Sequence, residues 1–233
     1  MAVSIDTVYQ RVLSVANKEQ RGYVTPQEFN LFANQAQMDI FEQYFYDLNQ
    51  FLRVPGNNTE HADMVNILEE KIGLFEASAT NIVYDGGAVI PSNVYRLSTV
   101  RYNNDGKHIL INRVSEKELR MISLGPLTRP SKNNPVYVLK GSDIFFSPIT
   151  PAAFDITYIK KPITANWSYI VVGEKALVNP NPSVGYMDFE LHPSEETKLV
   201  IKILGLAGIT LKDSSLYQVA STEDNKSIQQ EKQ

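Results

Sequence analysis

Hydrophobic positions in the first third of the chain recur with the period of an α-helix. Between residues 5 and 21 they fall three or four apart and share one helix face: Ile5, Val8, Tyr9, Val12, Leu13 and Ala16. Thr25 and Glu28 have the spacing of a capping box, and Pro26 stands at the first helical position. This pattern predicts a second helix that runs to about Arg53, and a third helix is predicted over residues 61–76.

The second predicted helix has more apolar residues than one face can hold. They are Phe29, Phe32, Ala33, Ala36, Ile40, Phe41, Tyr44, Phe45, Leu48, Phe51 and Leu52. A stripe of this width predicts burial on more than one side, either within the subunit or against other subunits.

After about Ala79 the period changes from 3.6 to 2, which predicts strands. Alternation over residues 94–102 places Val94, Arg96, Ser98, Val100 and Tyr102 on one face. A capping box that starts at Ser115 predicts a short helix over 116–123. The predicted strands are 82–84, 94–102, 107–112, 136–140, 143–147 and 154–160, with weaker ones at 169–172 and 176–178.

Residues 179–187 are rich in proline and asparagine and predict a surface loop or an arm. Residues 194–211 return to a helical pattern, in which Gly205 and Gly208 lower the helix propensity and allow close contact with another helix. The polar segment 213–232 has few residues to bury, so it would be a marginal helix on its own.

The order of helices, strands and helices predicts an α+β fold. We expect an N-terminal helical part (1–78), a β-rich module (79–191) and a C-terminal helix and tail (192–233). The helices from both ends of the chain are expected to form one helical body. The strands are expected to form an inserted antiparallel module that resembles a β-sandwich or barrel.

Charge is unevenly distributed along the 233 residues. The net charge of −4 argues against a free nucleic-acid-binding protein. Residues 1–78 hold 11 acidic and 5 basic side chains, whereas residues 79–190 hold 9 acidic and 12 basic ones. Opposite faces of neighbouring copies could therefore meet head to tail, although a chance imbalance of surface charge explains the pattern equally well.

The composition excludes several kinds of chemistry. With no cysteine, the chain has no disulfide and no thiolate metal site. The N-terminus lacks the pattern of a signal peptide, and no apolar run is long enough to span a membrane. We therefore expect a protein that stays in the cytoplasm or travels in a particle assembled there.

The sequence contains no nucleotide-binding, esterase or zinc-protease motif. The three histidines, His61, His108 and His192, are far apart and are interpreted as structural or surface residues. The carboxylate pairs, Glu69-Glu70, Glu116/Glu118 and Glu195-Glu196, fit a solvated helix face or first helical turns. We therefore predict no catalytic residue, cofactor site or metal site.

Two basic pairs are the best candidates for a phosphate contact: Lys160-Lys161 and Arg96/Arg101. Because strand-edge lysines commonly prevent aggregation, a plain surface role is the favoured interpretation. Trp167, the only tryptophan, fits either a core position or an interface anchor, and the core is favoured.

Three stretches of the β-rich module resemble head-to-tail connector proteins (adaptor, ring or neck proteins) of podovirus-like and crAss-like tailed phages. They are residues 134–141 (NPVYVLKG), 144–148 (IFFSP) and 154–162 (FDITYIKKP). Residues 189–191 (FEL), which lead into a helix, and 204–218 (LGLAGITLKDSSLYQ) are similar to the ends of such proteins. The opening block, residues 16–30, looks like virion proteins of environmental phages.

The resemblance implies a structural subunit of a ring, commonly of twelve copies, in the neck of a virion assembled in the host cytoplasm. Such a ring docks between the portal protein above and further ring or tail proteins below. It surrounds the genomic DNA without reading its sequence. The resemblance implies no catalytic residues.

The arm at 179–187 and the tail at 213–233 are predicted to contact neighbouring subunits or the portal. The predicted interface residues are Asn179, Pro180, Asn181, Pro182, Tyr186, Leu216, Tyr217, Val219 and Ile228. The alternatives are a tail-tube, baseplate or receptor-binding component, a cytoplasmic enzyme with an unrecognised site, and a DNA-binding protein.

Overall fold

A computed structural model describes most of the chain: residues 3–18, 24–53, 59–84, 87–104, 107–148, 153–173, 175–179, 181, 183, 185–210 and 214–231. The chain divides into two compact units. The helical unit comprises Met1–Leu74 and Pro162–Gln233, and the β unit comprises Phe75–Lys161.

The described residues form six α-helices and nine β-strands. The helices are α1 (Ile5–Lys18), α2 (Pro26–Arg53), α3 (Thr59–Gly73), α4 (Glu116–Leu124), α5 (Glu196–Thr210) and α6 (Ser214–Glu231). The strands are β1 (Glu76–Val83), β2 (Ala88–Val89), β3 (Val94–Asn104), β4 (Lys107–Arg113), β5 (Val136–Lys140), β6 (Asp143–Ser147), β7 (Ala153–Lys160), β8 (Tyr169–Val172) and β9 (Lys175–Val178). The predicted α+β class is confirmed.

Helices from both ends of the chain pack together in the helical unit, as predicted. Helix α5 lies against α1, α2 and α6. The predicted capping box starts α2, because Thr25 Oγ1 accepts from the Glu28 N–H at 3.3 Å and the Glu28 carboxylate accepts from the Thr25 N–H at 3.0 Å. The apolar side of α2 is fully buried at Phe29, Ala33, Ala36, Ile40, Phe41 and Tyr44.

The β unit is built on one mixed seven-stranded sheet with the order β1-β7-β3-β4-β5-β6-β2. Neighbouring strands are antiparallel except β4 and β5, which are parallel because α4 connects them. The expectation of an antiparallel module therefore fails at this pair. Strand β2, only two residues long, was not predicted.

The sheet curls on itself, which fits the predicted barrel-like module. Three strands separate β6 from β7 in the sheet order. In a flat sheet this places them about 19 Å apart at about 4.8 Å per strand. Nevertheless, the ring centroids of Phe146 on β6 and Phe154 on β7 are 4.9 Å apart. The curl closes around a core made of Val100, Tyr102, Ile111, Tyr137, Ile144, Phe154, Ile156 and Tyr158.

Strict alternation along β3 was wrong. The register with β7 shifts between Val94 and Arg96 and again between Leu97 and Thr99, and each irregularity moves the following side chains to the other face. As a result Val94, Leu97 and Val100 pack at the core, whereas Arg96 is exposed.

The boundaries of the β-rich module differ from the predicted 79–191. Strand β1 starts at Glu76, which pairs with Ile159, so α3 ends at Gly73 and the β unit begins earlier than predicted. Residues 162–191 belong to the helical unit. Strands β8 and β9 in this segment pair only with each other among the described residues, and an extended stretch at 163–167 is hydrogen-bonded to α2.

Candidate assembly surfaces

A ladder of side-chain amides on α2 holds the extended stretch 163–167. Asn30, Asn34 and Gln37 lie three or four residues apart on one face of the helix, and they meet alternate residues of the stretch. The contacts are Trp167 N to Asn30 Oδ1 (2.8 Å), Ala165 N to Asn34 Oδ1 (2.9 Å), Asn34 Nδ2 to Ala165 O (2.9 Å) and Gln37 Nε2 to Ile163 O (2.8 Å). The amides thus take the place of a neighbouring strand.

Trp167 lies in the core of the helical unit and is 1% exposed. Its indole N–H donates to Asp6 Oδ1 at 2.9 Å. Its ring contacts Tyr9, with centroids 4.0 Å apart, and stacks on Tyr169 at 5.7 Å. The core interpretation is confirmed, and Trp167 anchors the chain just before the β8–β9 hairpin.

Both ends of the predicted arm, residues 179–187, are hydrogen-bonded to their own chain. The Asn179 N–H donates to Ser168 O at 2.8 Å. Asn166 Nδ2 donates to Gly185 O at 2.8 Å, and the backbones of Asn166 and Met187 exchange two hydrogen bonds. Asn181 is exposed, and Pro180 and Pro182 lie outside the described residues.

Tyr186 is half-buried, and its hydroxyl donates to Asp188 Oδ1 at 3.1 Å. Burial raises the pKa of Tyr186, and the Asp188 carboxylate raises it further. Tyr186 therefore belongs to the base of the segment, whereas the exposed Asn181 lies nearer its middle. An inter-subunit role of the arm stays a prediction.

The β8–β9 hairpin exposes apolar residues along both strands. Val171 is 67% exposed and Val172 is 55% exposed, with Ile170 and Leu177 close to half exposed. Because this sheet has only two strands among the described residues, both of its outer edges carry unpaired backbone groups. Sequence reasoning missed this surface, although the runs YIVV and KALV are mostly apolar and contain a single charged residue, Lys175.

Helix α6 is packed against α5 through a close contact. A Cβ atom placed on Gly205 would lie 3.5 Å from the Cβ atom of Ala220, and Lys202 Nζ pairs with Asp224 Oδ2 at 3.1 Å. The predicted close helix contact at Gly205 is confirmed. Of the predicted interface residues here, Val219 is 63% exposed, whereas the side chains of Leu216, Tyr217 and Ile228 lie outside the described part of the structure.

The candidate acid–base residues are spread over helix starts and exposed positions, and the side chain of His61 lies outside the described residues. His192 Nδ1 is 2.8 Å from Ser194 Oγ at the start of a short 3-10 helix, and His108 is exposed on β4. Hydrogen bonds from Ser115 lower the pKa of Glu118, as expected of a capping box. Within the described ranges, His, Asp and Glu side chains form no group of three that could hold a metal ion.

Glu195 is the exception among the carboxylates, because it is 3% exposed and paired with Lys71 at 2.5 Å. Lys71 also lies 5.6 Å from the centroid of the Tyr44 ring. This pair connects α3 to the start of α5 inside the helical unit. Its contacts give it a structural role.

The β unit contains a basic depression of about 340 Å³. Arg96, Arg113 and Lys161 line it, and no acidic residue does. Of the predicted basic pairs, the structure therefore brings Arg96 and Lys161 to one place, whereas Arg101 pairs with Asp155 at 3.7 Å. Arg113 was missed, since it is far from both in sequence.

No helix in the described ranges is long and apolar enough to cross a membrane. Comparisons of the chain with protein-family models and with curated proteins find no match.

Proposed function

We propose that this chain is a structural, non-enzymatic subunit of the neck of a tailed phage. Copies of it form a ring, commonly of twelve, around the channel through which the genomic DNA passes. The ring docks below the portal protein and above further ring or tail proteins. The proposal rests on the sequence resemblance of residues 134–162 and 189–218 to connector proteins and on the surfaces described above.

The observation that carries the assembly role is the β8–β9 hairpin. Its exposed valines favour burial against another surface, and its unpaired strand edges can pair with a strand of another chain. An isolated two-stranded hairpin is also marginally stable without further packing. Contact with an adjacent subunit covers the apolar side chains and supplies strand partners, as in β-strand addition.

The experiment compares two identical substitutions at matched positions. Val171 on β8 is 67% exposed, and Val83 on β1 is 72% exposed. We expect Val171→Asp to leave folding unchanged by circular dichroism but to abolish incorporation into particles. Val83→Asp is the control and should incorporate normally. Equal incorporation of both variants would contradict an assembly role for the hairpin.

Imaging of intact particles tests the position of the subunit. A ring between portal and tail supports the proposal, and density at the tail tip or baseplate supports the alternative of a distal structural component.

For the α6 tail, Val219→Asp is the better probe than removal of residues 213–233, because the buried Ala220 makes α6 part of the helical unit. Val219→Asp should weaken capture by purified portal protein.

A further inference from the structure

We infer that the basic depression of one copy receives the acidic outer stripe of α3 of a second copy. The inference rests on the proposed function, because it names a second contact, besides the β8–β9 hairpin, between neighbouring copies of the ring. The outer stripe of α3 is defined as Asp63, Asn66, Ile67 and Glu70.

The depression is built for an anionic partner. Arg96, Arg113 and Lys161 are exposed, and none of them forms an ion pair within the described part of the chain. With three cations and no acidic lining residue, the depression attracts more than one negative charge. Arginine side chains also bind carboxylates in a bidentate manner.

The lining of the depression also contains apolar side chains, so the partner should offer an apolar group as well as negative charge. Apolar side chains form much of the wall: Ile90, Pro91, Val94, Leu97 and Leu139. A partner that offers carboxylates together with an aliphatic side chain fits both parts of this surface. A bare row of phosphates satisfies only the cations.

The outer stripe of α3 has this combination. Its residues follow the spacing i, i+3, i+4, i+7, so they share one face of the helix. Asp63 and Glu70 are exposed and have no ion-pair partner in the described ranges, and Ile67 between them is 45% exposed. The face opposite is buried through Leu68 and Ile72.

The distribution of charge between the two units favours a second copy as the partner. Phe75–Lys161 hold 11 basic and 7 acidic residues, whereas the helical unit holds 19 acidic and 11 basic ones. The structural boundaries thus separate opposite charges more sharply than the predicted ones. A contact between two different surfaces of identical chains is heterologous, and such contacts generate a ring where the rotation between neighbouring copies closes.

The test uses two charge-reversed chains. The first carries Asp63→Arg and Glu70→Arg, and the second carries Arg96→Glu and Arg113→Glu. We expect each variant alone to self-associate at least about tenfold more weakly than the wild type at low salt, by analytical ultracentrifugation. An equimolar mixture should associate again. The basic stripe of the first chain then meets the acidic depression of the second, and the unchanged acidic stripe of the second meets the unchanged basic depression of the first.

Two charge-matched controls sit outside the proposed contact. They are Glu42→Arg with Glu69→Arg on the helical unit, and Lys107→Glu with Lys132→Glu on the β unit. Both should associate like the wild type. The inference is overturned if mixing the two charge-reversed chains does not restore association. It is also overturned if the wild-type chain stays monomeric at low salt.

Neither result decides the proposed function, which particle imaging tests separately. A neck ring seen in particles assembled from either charge-reversed chain alone would reject only this contact. The chain carrying Arg96→Glu and Arg113→Glu is also tested for binding to a short duplex DNA. If these changes abolish binding to the DNA but leave self-association intact, the ligand of the depression is a phosphate and not the acidic stripe.

Discussion

Asn34 on α2 exchanges two hydrogen bonds with the backbone of Ala165, each 2.9 Å long, across 131 residues of sequence. Ala165 is fully buried, so its N–H and C=O groups have no access to water. The side-chain amide donates to the C=O and accepts from the N–H, whereas a carboxylate, which only accepts, cannot bind both groups. The ladder that includes this pair fixes the stretch leading to Trp167 and the hairpin.

Replacement of Asn34 by alanine should destabilise the chain by about 2–4 kcal/mol, because two buried backbone groups lose their partners. Asn49→Ala is the matched control on the same helix, since Asn49 is exposed and, among the described residues, its side chain bonds only to Phe45 O of α2. Urea unfolding measures both variants. Equal stability of the two would contradict a structural role for the ladder.

Local signals were readable from the sequence, whereas pairings between distant residues were not. The capping boxes at Thr25 and Ser115 depend on neighbouring residues only, and they are where the pattern predicts them. Asn34 looks like any polar helix residue until the stretch that it binds is known. The bulges in β3 depend in the same way on β7, a strand more than 50 residues away.

Among the surfaces proposed for assembly, one was likewise readable from the local sequence, and the others depended on residues that are distant in the sequence. The proline-rich arm stood out in the sequence, yet its ends bind their own chain. The hairpin and the basic depression became visible only once the fold showed which apolar and basic residues lack partners within the described structure. Arg96 and Lys161 were noted as candidates, but their grouping with Arg113 depends on the curled sheet.

The buried ion pair between Lys71 and Glu195 should be strongly coupled. Glu195→Leu leaves the Lys71 ammonium without its carboxylate, so we expect a loss of about 3 kcal/mol in the free energy of unfolding. Lys71→Met with Glu195→Leu should cost clearly less than the sum of the single changes. A double-mutant cycle by urea unfolding measures this coupling, and additive losses would count against it.

Stability should fall at high pH through Tyr137. Burial raises the pKa of the Tyr137 hydroxyl above 10.0, an effect partly opposed by Arg113. The unfolded chain ionises at about 10, so the contribution of this tyrosine is fully present below that pH and is lost as the pH rises through the folded-state pKa.

Unfolding midpoints between about pH 8 and pH 11 measure this effect. The unfolding midpoint should fall less steeply with rising pH for Tyr137→Phe than for the wild type. Tyr46→Phe, at a 63% exposed position, is the control and should follow the wild-type curve. Identical declines for Tyr137→Phe and wild type would remove Tyr137 as the cause.

The Gly205–Ala220 contact should tolerate a methyl group but no more. A Cβ atom on Gly205 would lie at an ordinary van der Waals distance from the Ala220 Cβ atom, and alanine is favoured over glycine in a helix by about 1 kcal/mol. Gly205→Ala should therefore raise the free energy of unfolding by up to about 1 kcal/mol.

Gly205→Leu should instead push α6 away from α5, exposing Ala220 and separating Lys202 from Asp224. Gly73→Leu is the matched control, because a Cβ atom there meets nothing within 4 Å. Limited proteolysis should then cut α6 in the Gly205→Leu variant, while the Gly73→Leu variant and the wild type resist. Protection of α6 in all three chains would show that the Gly205–Ala220 contact is not what holds this helix against α5.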